Sequence, residues 1–156
     1  MSVFPDNIKY LSTPRIIEGG SSAGNYRNFN LALHVGDEES SVNANRKLLL
    51  ERYSLPSEPK WIKQTHSNIC HRVAKSHSII EADASYTEQK GVVCAILTAD
   101  CLPIFVSNKQ GSFVGVAHAG WRGIVGGVIE SLLKVTNANG KDLMVHLGPA
   151  ISVSSF

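Results

Sequence analysis

Long apolar runs are missing from this chain of 156 residues. The longest, Val92–Leu97 behind Gly91, falls far short of the roughly 20 residues that a bilayer-spanning helix needs, so no such helix is expected. An excess of one charge is missing too: fifteen Lys and Arg stand against thirteen Asp and Glu, a net +2 dispersed along the sequence. So thin a surplus builds neither a nucleic-acid groove nor a polybasic membrane patch. Cysteine is confined to Cys70, Cys94 and Cys101, an odd set without C-x-x-C spacing. That argues against a disulfide framework and against an all-thiolate zinc knuckle. The opening Met1-Ser2-Val3-Phe4-Pro5-Asp6 lacks the basic-then-apolar order of a secretory signal, so a cytoplasmic location is expected. What is present, 43% hydrophobic and 18% charged residues, suits one compact domain over residues 1–156.

Residues 1–30 are rich in Ser, Gly and Asn and read as an entry segment with a flexible loop at Gly19–Asn25. Leu31–Gly36 alternates as a short strand does, with Ala32 and His34 sharing one face. The acidic and hydroxyl residues Asp37–Ser41 suit a helix start, and apolar spacing predicts a helix over Val42–Tyr53. Arg46 falls inside its apolar stripe. Either its stem packs on the core while the guanidinium reaches water, or it points inward toward an anion.

Beyond Pro56 and Pro59, Trp61–His66 reads as a strand with Ile62, Gln64 and His66 on one face, followed by a second near Ile69–Val73. Val92–Leu97 reads as a strand buried on both faces. Ile104–Val106 and Phe113–Ala117, separated by a polar turn, read as an antiparallel hairpin. A helix is predicted over Ile124–Val135 and a last strand over Leu143–Leu147. The apolar ending after that strand, closing on Phe156, reads as a fragment or a gene product cut short.

The hairpin brings chemistry together. Centred between Lys109 and Gln110, it sets Ile104 against Gly115, Val106 against Phe113 and Cys101 against His118. Opposed side chains emerge on one side of a sheet, so a thiolate and an imidazole there can share a metal or act as a nucleophile and base. Asp100 stands beside them, placed to orient the imidazole or carry a proton. Gly120-Trp121-Arg122-Gly123 leads into the predicted helix, and its N–H groups with Arg122 favour an anion such as phosphate.

The motifs Asn30–Asp37 with Asn45-Arg46, Trp61–His66, Ala82-Asp83-Ala84, Thr98–Pro103, His118–Gly123 and Leu147–Ile151 resemble, in order, those of the laccase-domain family. That family has been called multicopper polyphenol oxidase and is described as a purine nucleoside phosphorylase with adenosine deaminase activity. The resemblance implies an α/β (mixed α+β) fold, a layered sandwich of mixed β-sheets flanked by helices. It also implies a single zinc on His66, Cys101 and His118 with a fourth position open. Implied substrates are adenosine, inosine, guanosine and methylthioadenosine with phosphate, without nucleic acid or membrane partners. His34, Arg46, Asp100 and Arg122 match polar positions around the family's metal. Ser67 stands where many members have Gly, Ser154-Ser155 where many have a Cys pair, and family members continue beyond the motif in which this chain ends.

On these residues Asp100 is the expected proton shuttle for deamination, in which activated water attacks the purine carbon bearing the amino group. Arg46 and Arg122 are the expected phosphate cradle for phosphorolysis, and His34 a partner of ribose or base. A copper polyphenol oxidase needs many imidazoles, usually as His-x-His pairs. The six histidines His34, His66, His71, His77, His118 and His146 form no such pair, although a Cys/His site takes copper in vitro. A metal-free Cys101–His118 hydrolase and a metal-stabilised binding domain without catalysis complete the alternatives.

Overall fold

The computed structural model describes residues 3–76 and 78–155; His77, Met1, Ser2 and Phe156 lie outside the described residues. The chain divides into two compact units, Met1–Leu11 with Pro59–Phe156, and Ser12–Glu58. The fold is mixed α/β, and the five strands among the described residues all lie in the larger unit.

The smaller unit is built on α1 (Glu39–Arg52), which buries Val42, Asn45 and Leu49. Asn45 breaks the apolar stripe, and its polar atoms are satisfied by the loop beneath. Its Nδ2 donates to Ser22 Oγ and to the carbonyls of Asn28 and Asn30, while its Oδ1 accepts from Ser21 N–H at 2.8 Å. Ser22 and Asn30 in turn donate to the Asp37 carboxylate, which lowers its pKa. The segment expected as a strand over Leu31–Gly36 is instead a turn. Asn30 accounts for this, because its side chain accepts from Ala32 N–H and donates to the Ala32 carbonyl, claiming groups a ladder would use.

In the larger unit β1 (Cys70–Arg72), β2 (Ala84–Thr87), β3 (Leu102–Asn108), β4 (Val114–Ala119) and β5 (Leu143–Leu147) form one sheet in the order β1-β2-β4-β3-β5. Only β1 and β2 pair in parallel. Ala84, Ile104, Val106, Ala117 and Ala119 pack with Phe113 and with Val128 and Leu132 of α3 (Val128–Lys134) into the main core. Fully burying an aliphatic side chain contributes about 1.5–3 kcal/mol, so Val128 and Leu132, one helical turn apart, anchor α3 on this face. Phe105 points to the opposite face, against Tyr10 and His146.

The hairpin β3–β4 forms as expected, but its register differs: Ile104 opposes Ala117, Val106 opposes Gly115 and Pro103 opposes His118. The turn centres between Gln110 and Gly111, one residue later than expected. Gly111 takes φ +61 and donates to the Asn108 carbonyl, and Asn108 Oδ1 accepts from Ser112 N–H. Each β3 residue therefore faces a β4 residue two places further on. Since side chains alternate with period two, such a slip leaves every side chain on its expected face.

The helix expected over Ile124–Val135 is broken into α2 (Trp121–Gly126) and α3. Gly127 between them has φ +89, a left-handed conformation in which the α-helix cannot continue. Ile124 and Val125 are consequently exposed, although the periodicity had set them on the apolar stripe.

Candidate metal centre

Val92–Leu97 and Trp61–His66 are not strands. Among the described residues they make isolated bridges instead, Cys94 with Lys60 just before the second segment and Lys63 with Glu81. Further along, the Gln64 side chain takes over the pairing, donating to the Leu97 carbonyl and accepting from its N–H. These irregular segments lead directly to two of the expected metal ligands.

The donor atoms of His66, Cys101 and His118 lie within 4.8 Å of one another. His118 comes from β4, Cys101 from the bend before β3, and His66 from a turn where its own φ is +59. His66 is exposed, Cys101 half-buried and His118 buried, so the group opens to solvent on one side. The two imidazoles meet edge to face with centroids 4.9 Å apart. The hairpin sets His118 opposite Pro103 rather than Cys101, yet the preserved face still brings thiol and imidazole together.

Gly120 leaves the space that the group occupies. A Cβ there would lie 3.0 Å from Cys101 Sγ and 3.2 Å from His66 Cδ2. Asn68 Nδ2 donates to the Gly126 carbonyl at 2.7 Å, tying the turn after His66 to the end of α2.

Behind the ligands stands Asp83, to which the motif Ala82-Asp83-Ala84 alone assigns no role. Its Oδ1 is 2.8 Å from His118 Nδ1, and its Oδ2 accepts from Thr65 N–H at 3.1 Å, Ser67 N–H at 2.6 Å and Ser67 Oγ at 2.8 Å. Burial by itself would raise the Asp83 pKa. The hydrogen bonds from His118, Ser67 and Thr65 outweigh that and hold the carboxyl below the ordinary range. The available signal was an acid between two alanines at the mouth of a buried strand.

Asp100 is exposed, and it is Asp83 that holds the His118 imidazole. The effect of Asp100 falls on Cys101 instead: burial first, then the Asp100 charge and hydrogen bond, raise the thiol pKa. Arg122 is exposed and stacks over the Trp121 ring, 4.4 Å from its centroid. It lies on the first turn of a helix only six residues long, which offers a weak dipole. In the smaller unit His34 is exposed within the turn, and Arg46 is half-buried with Nε and Nη2 donating to the Leu31 carbonyl at 3.0 and 2.8 Å. Burial lowers the Arg46 pKa and Glu58 opposes this.

The donor set fits a divalent metal of intermediate softness. Tetrahedral zinc, with bonds of about 2.0–2.3 Å, would require donors about 3.5 Å apart, a spacing compatible with three donor atoms that lie within 4.8 Å of one another. His118 Nδ1 is already committed to a carboxylate, which leaves Nε2 as the ligand atom. Among the described residues this is the one group of three or more such side chains placed to share an ion.

A family model described as multi-copper polyphenol oxidoreductase laccase matches residues 11–156. A purine nucleoside phosphorylase of Haemophilus influenzae is 43% identical over 152 residues, covering 97% of this chain and 62% of that protein. Purine nucleoside phosphorylase YfiH of Escherichia coli is 39% identical over 153 residues, with coverage of 97% and 62%. The crystal structure of a Neisseria meningitidis protein, 38% identical, superposes with a TM-score of 0.92 over 100% of this chain and 63% of that one. The chain thus spans about three fifths of the length of these relatives.

Proposed function

The chain belongs to the multi-copper polyphenol oxidoreductase laccase family, and from that premise we propose that it is a metal-dependent purine nucleoside phosphorylase. The reading is supported by the convergence of His66, Cys101 and His118 within 4.8 Å, in a chain whose relatives bear that name. The substrates are adenosine, inosine, guanosine and methylthioadenosine with phosphate, and adenosine is deaminated at the same site. Residues 1–156 act as one laccase-like domain in the cytoplasm.

His66, Cys101 and His118 would hold zinc, which when bound would supply a Lewis acid. Asp100, exposed beside Cys101, carries protons to and from the purine. Arg122, exposed at the start of α2, binds phosphate; in the smaller unit Arg46 is assigned to phosphate and His34 to ribose or base. Phosphorolysis joins a phosphate oxygen to the ribose carbon as its bond to the purine nitrogen breaks, so the free base and a sugar phosphate are released. A cationic cradle matters most for that step because it binds the phosphate anion and holds it against the ribose carbon it attacks.

The test is chromatographic detection of free base and sugar phosphate from each nucleoside, with and without phosphate. Phosphate-dependent base release that disappears in Cys101→Ala is expected. Release unchanged by Cys101→Ala removes the metal from the mechanism, and absence of release in zinc-loaded wild type removes the phosphorylase reading. The family description also names polyphenol oxidation. Oxygen uptake with a phenol in copper-loaded protein, absent with zinc, would establish that alternative.

A further inference from the structure

We propose that Asp83 is the positioning residue of the metal group, holding both imidazole ligands from behind through its two carboxylate oxygens. The proposal rests on the metal reading above and extends it to a residue that touches no substrate. Asp83 lies just before β2 and opposite His118 across the β2–β4 pairing, where His118 N–H donates to the Asp83 carbonyl at 2.7 Å. On its other side Asp83 N–H donates to the Ile69 carbonyl at 3.1 Å. The backbone is thus pinned from both neighbouring strands, and the side chain is completely buried.

Four hydrogen bonds reach this carboxylate, and every partner acts as a donor. Oδ1 can only accept, so the proton of neutral His118 sits on Nδ1 and the lone pair is left on Nε2, facing His66 and Cys101. Oδ2 gathers Thr65 N–H, Ser67 N–H and Ser67 Oγ, the groups on either side of His66. His66 has φ +59, which a residue with a side chain rarely adopts, and convergence of its neighbours on one oxygen maintains that turn. Ser67 adds its hydroxyl to this set. One carboxylate therefore sets the tautomer of one ligand and the backbone of the other.

An isosteric amide tests the idea because an amide has one acceptor and one donor end. In Asp83→Asn the oxygen satisfies the three donors around His66, and Nδ2 then faces His118 Nδ1. The imidazole must accept there and carry its proton on Nε2, where no lone pair remains for a metal. The opposite orientation sets NH2 against three donors and displaces His66.

The experiment measures zinc affinity of the full chain by competition with a chromogenic chelator, for wild type, Asp83→Asn, Ser67→Ala and Cys101→Ala. Nitrogen-15 NMR of the histidines in zinc-free protein reports tautomers, and circular dichroism checks folding. Affinity about 10–100-fold weaker in Asp83→Asn is expected, as for loss of other groups that orient ligands. Ser67→Ala, which keeps the backbone donors, should lose severalfold only. Wild-type His118 should carry its proton on Nδ1, and Asp83→Asn should move it to Nε2. A purely structural Asp83 would leave the tautomer of a folded variant unchanged. Equal zinc affinity in folded Asp83→Asn, or an Nε2 proton in wild type, overturns the proposal even should the variant fail to fold. Wild type binding zinc no tighter than Cys101→Ala overturns the metal reading itself and this proposal with it.

Discussion

Gln64 and Leu97 are joined by two hydrogen bonds, Gln64 Nε2 to the Leu97 carbonyl at 2.8 Å and Leu97 N–H to Gln64 Oε1 at 2.7 Å. A side-chain amide here does what a neighbouring strand would do, and its position matters for the site. Gln64 stands two residues before His66, and Leu97 opens the stretch leading to Asp100 and Cys101. The pair therefore couples the segments that carry two of the three candidate ligands.

Replacing Gln64 with Ala strands the Leu97 carbonyl and N–H in a half-buried position. An orphaned partner of this kind costs about 1–3 kcal/mol. The Gln64→Ala variant should be less stable by about that free energy in urea titration, with a lower midpoint and unchanged denaturant slope, and should bind zinc more weakly. A midpoint equal to wild type would show that water replaces the amide without loss.

The same pair explains where sequence patterning succeeded and where it failed. Two apolar segments flanking a polar turn identified β3 and β4, and the main core takes alternate side chains from them, Ile104 and Val106 from one strand and Ala117 and Ala119 from the next. The Cys101–His118 pair was legible because an even slip of register conserves faces, whereas His66 followed only from the family resemblance. Val92–Leu97 misled because apolar continuity reports burial and says nothing about which partner satisfies the backbone. Asp83 carried no role because a lone acid acquires meaning only when folding aims donors at it from residues 65, 67 and 118.

Gly120 is the position at which the site tolerates least. A methyl group there would approach Cys101 Sγ, one of the three donor atoms, to 3.0 Å and Cδ2 of the His66 ring, which carries another, to 3.2 Å. The φ at Gly120 is -66, so Gly120→Ala carries no backbone strain and tests space alone. The variant should fold with a melting temperature near that of wild type and lose at least tenfold in zinc affinity. Unchanged affinity would mean that the ligands have room to bind a metal further from the α2 start.

Gly127 tests the break between α2 and α3. Its φ of +89 exposes any residue with a Cβ to left-handed strain, about 1–2 kcal/mol. Gly127→Ala should therefore destabilise the protein by about that amount in urea titration. The fall should occur without large loss of helical circular dichroism, because Val128 and Leu132 still anchor α3. A stabilised variant would indicate that the two helices prefer to run on as one, as their apolar spacing alone predicts.

Cys70 and Cys94 predict how stability depends on pH. Burial pushes the Cys70 thiol up to about 12. Burial does the same to Cys94, also to about 12, against a hydrogen bond from Ser85 and with a small further push from Cys70. An unfolded chain ionises its thiols near pH ~8.5. Below that pH both states keep their protons and the full stability is present. Between about 8.5 and 12 the unfolded state binds fewer protons than the folded one, so stability falls as pH rises, by up to about 1.4 kcal/mol per pH unit for each thiol. The urea midpoint should drop steadily from pH 8 to pH 10.5, and the Cys70→Ala/Cys94→Ala double variant should show a flatter decline. Iodoacetamide at pH 8 should leave both residues unmodified for times that fully label the urea-unfolded chain, since a thiol of pKa 12 is ionised to only about one part in 10,000 there. Equal pH slopes in wild type and double variant, or rapid native labelling at either cysteine, would place these thiols in contact with water rather than inside the protein.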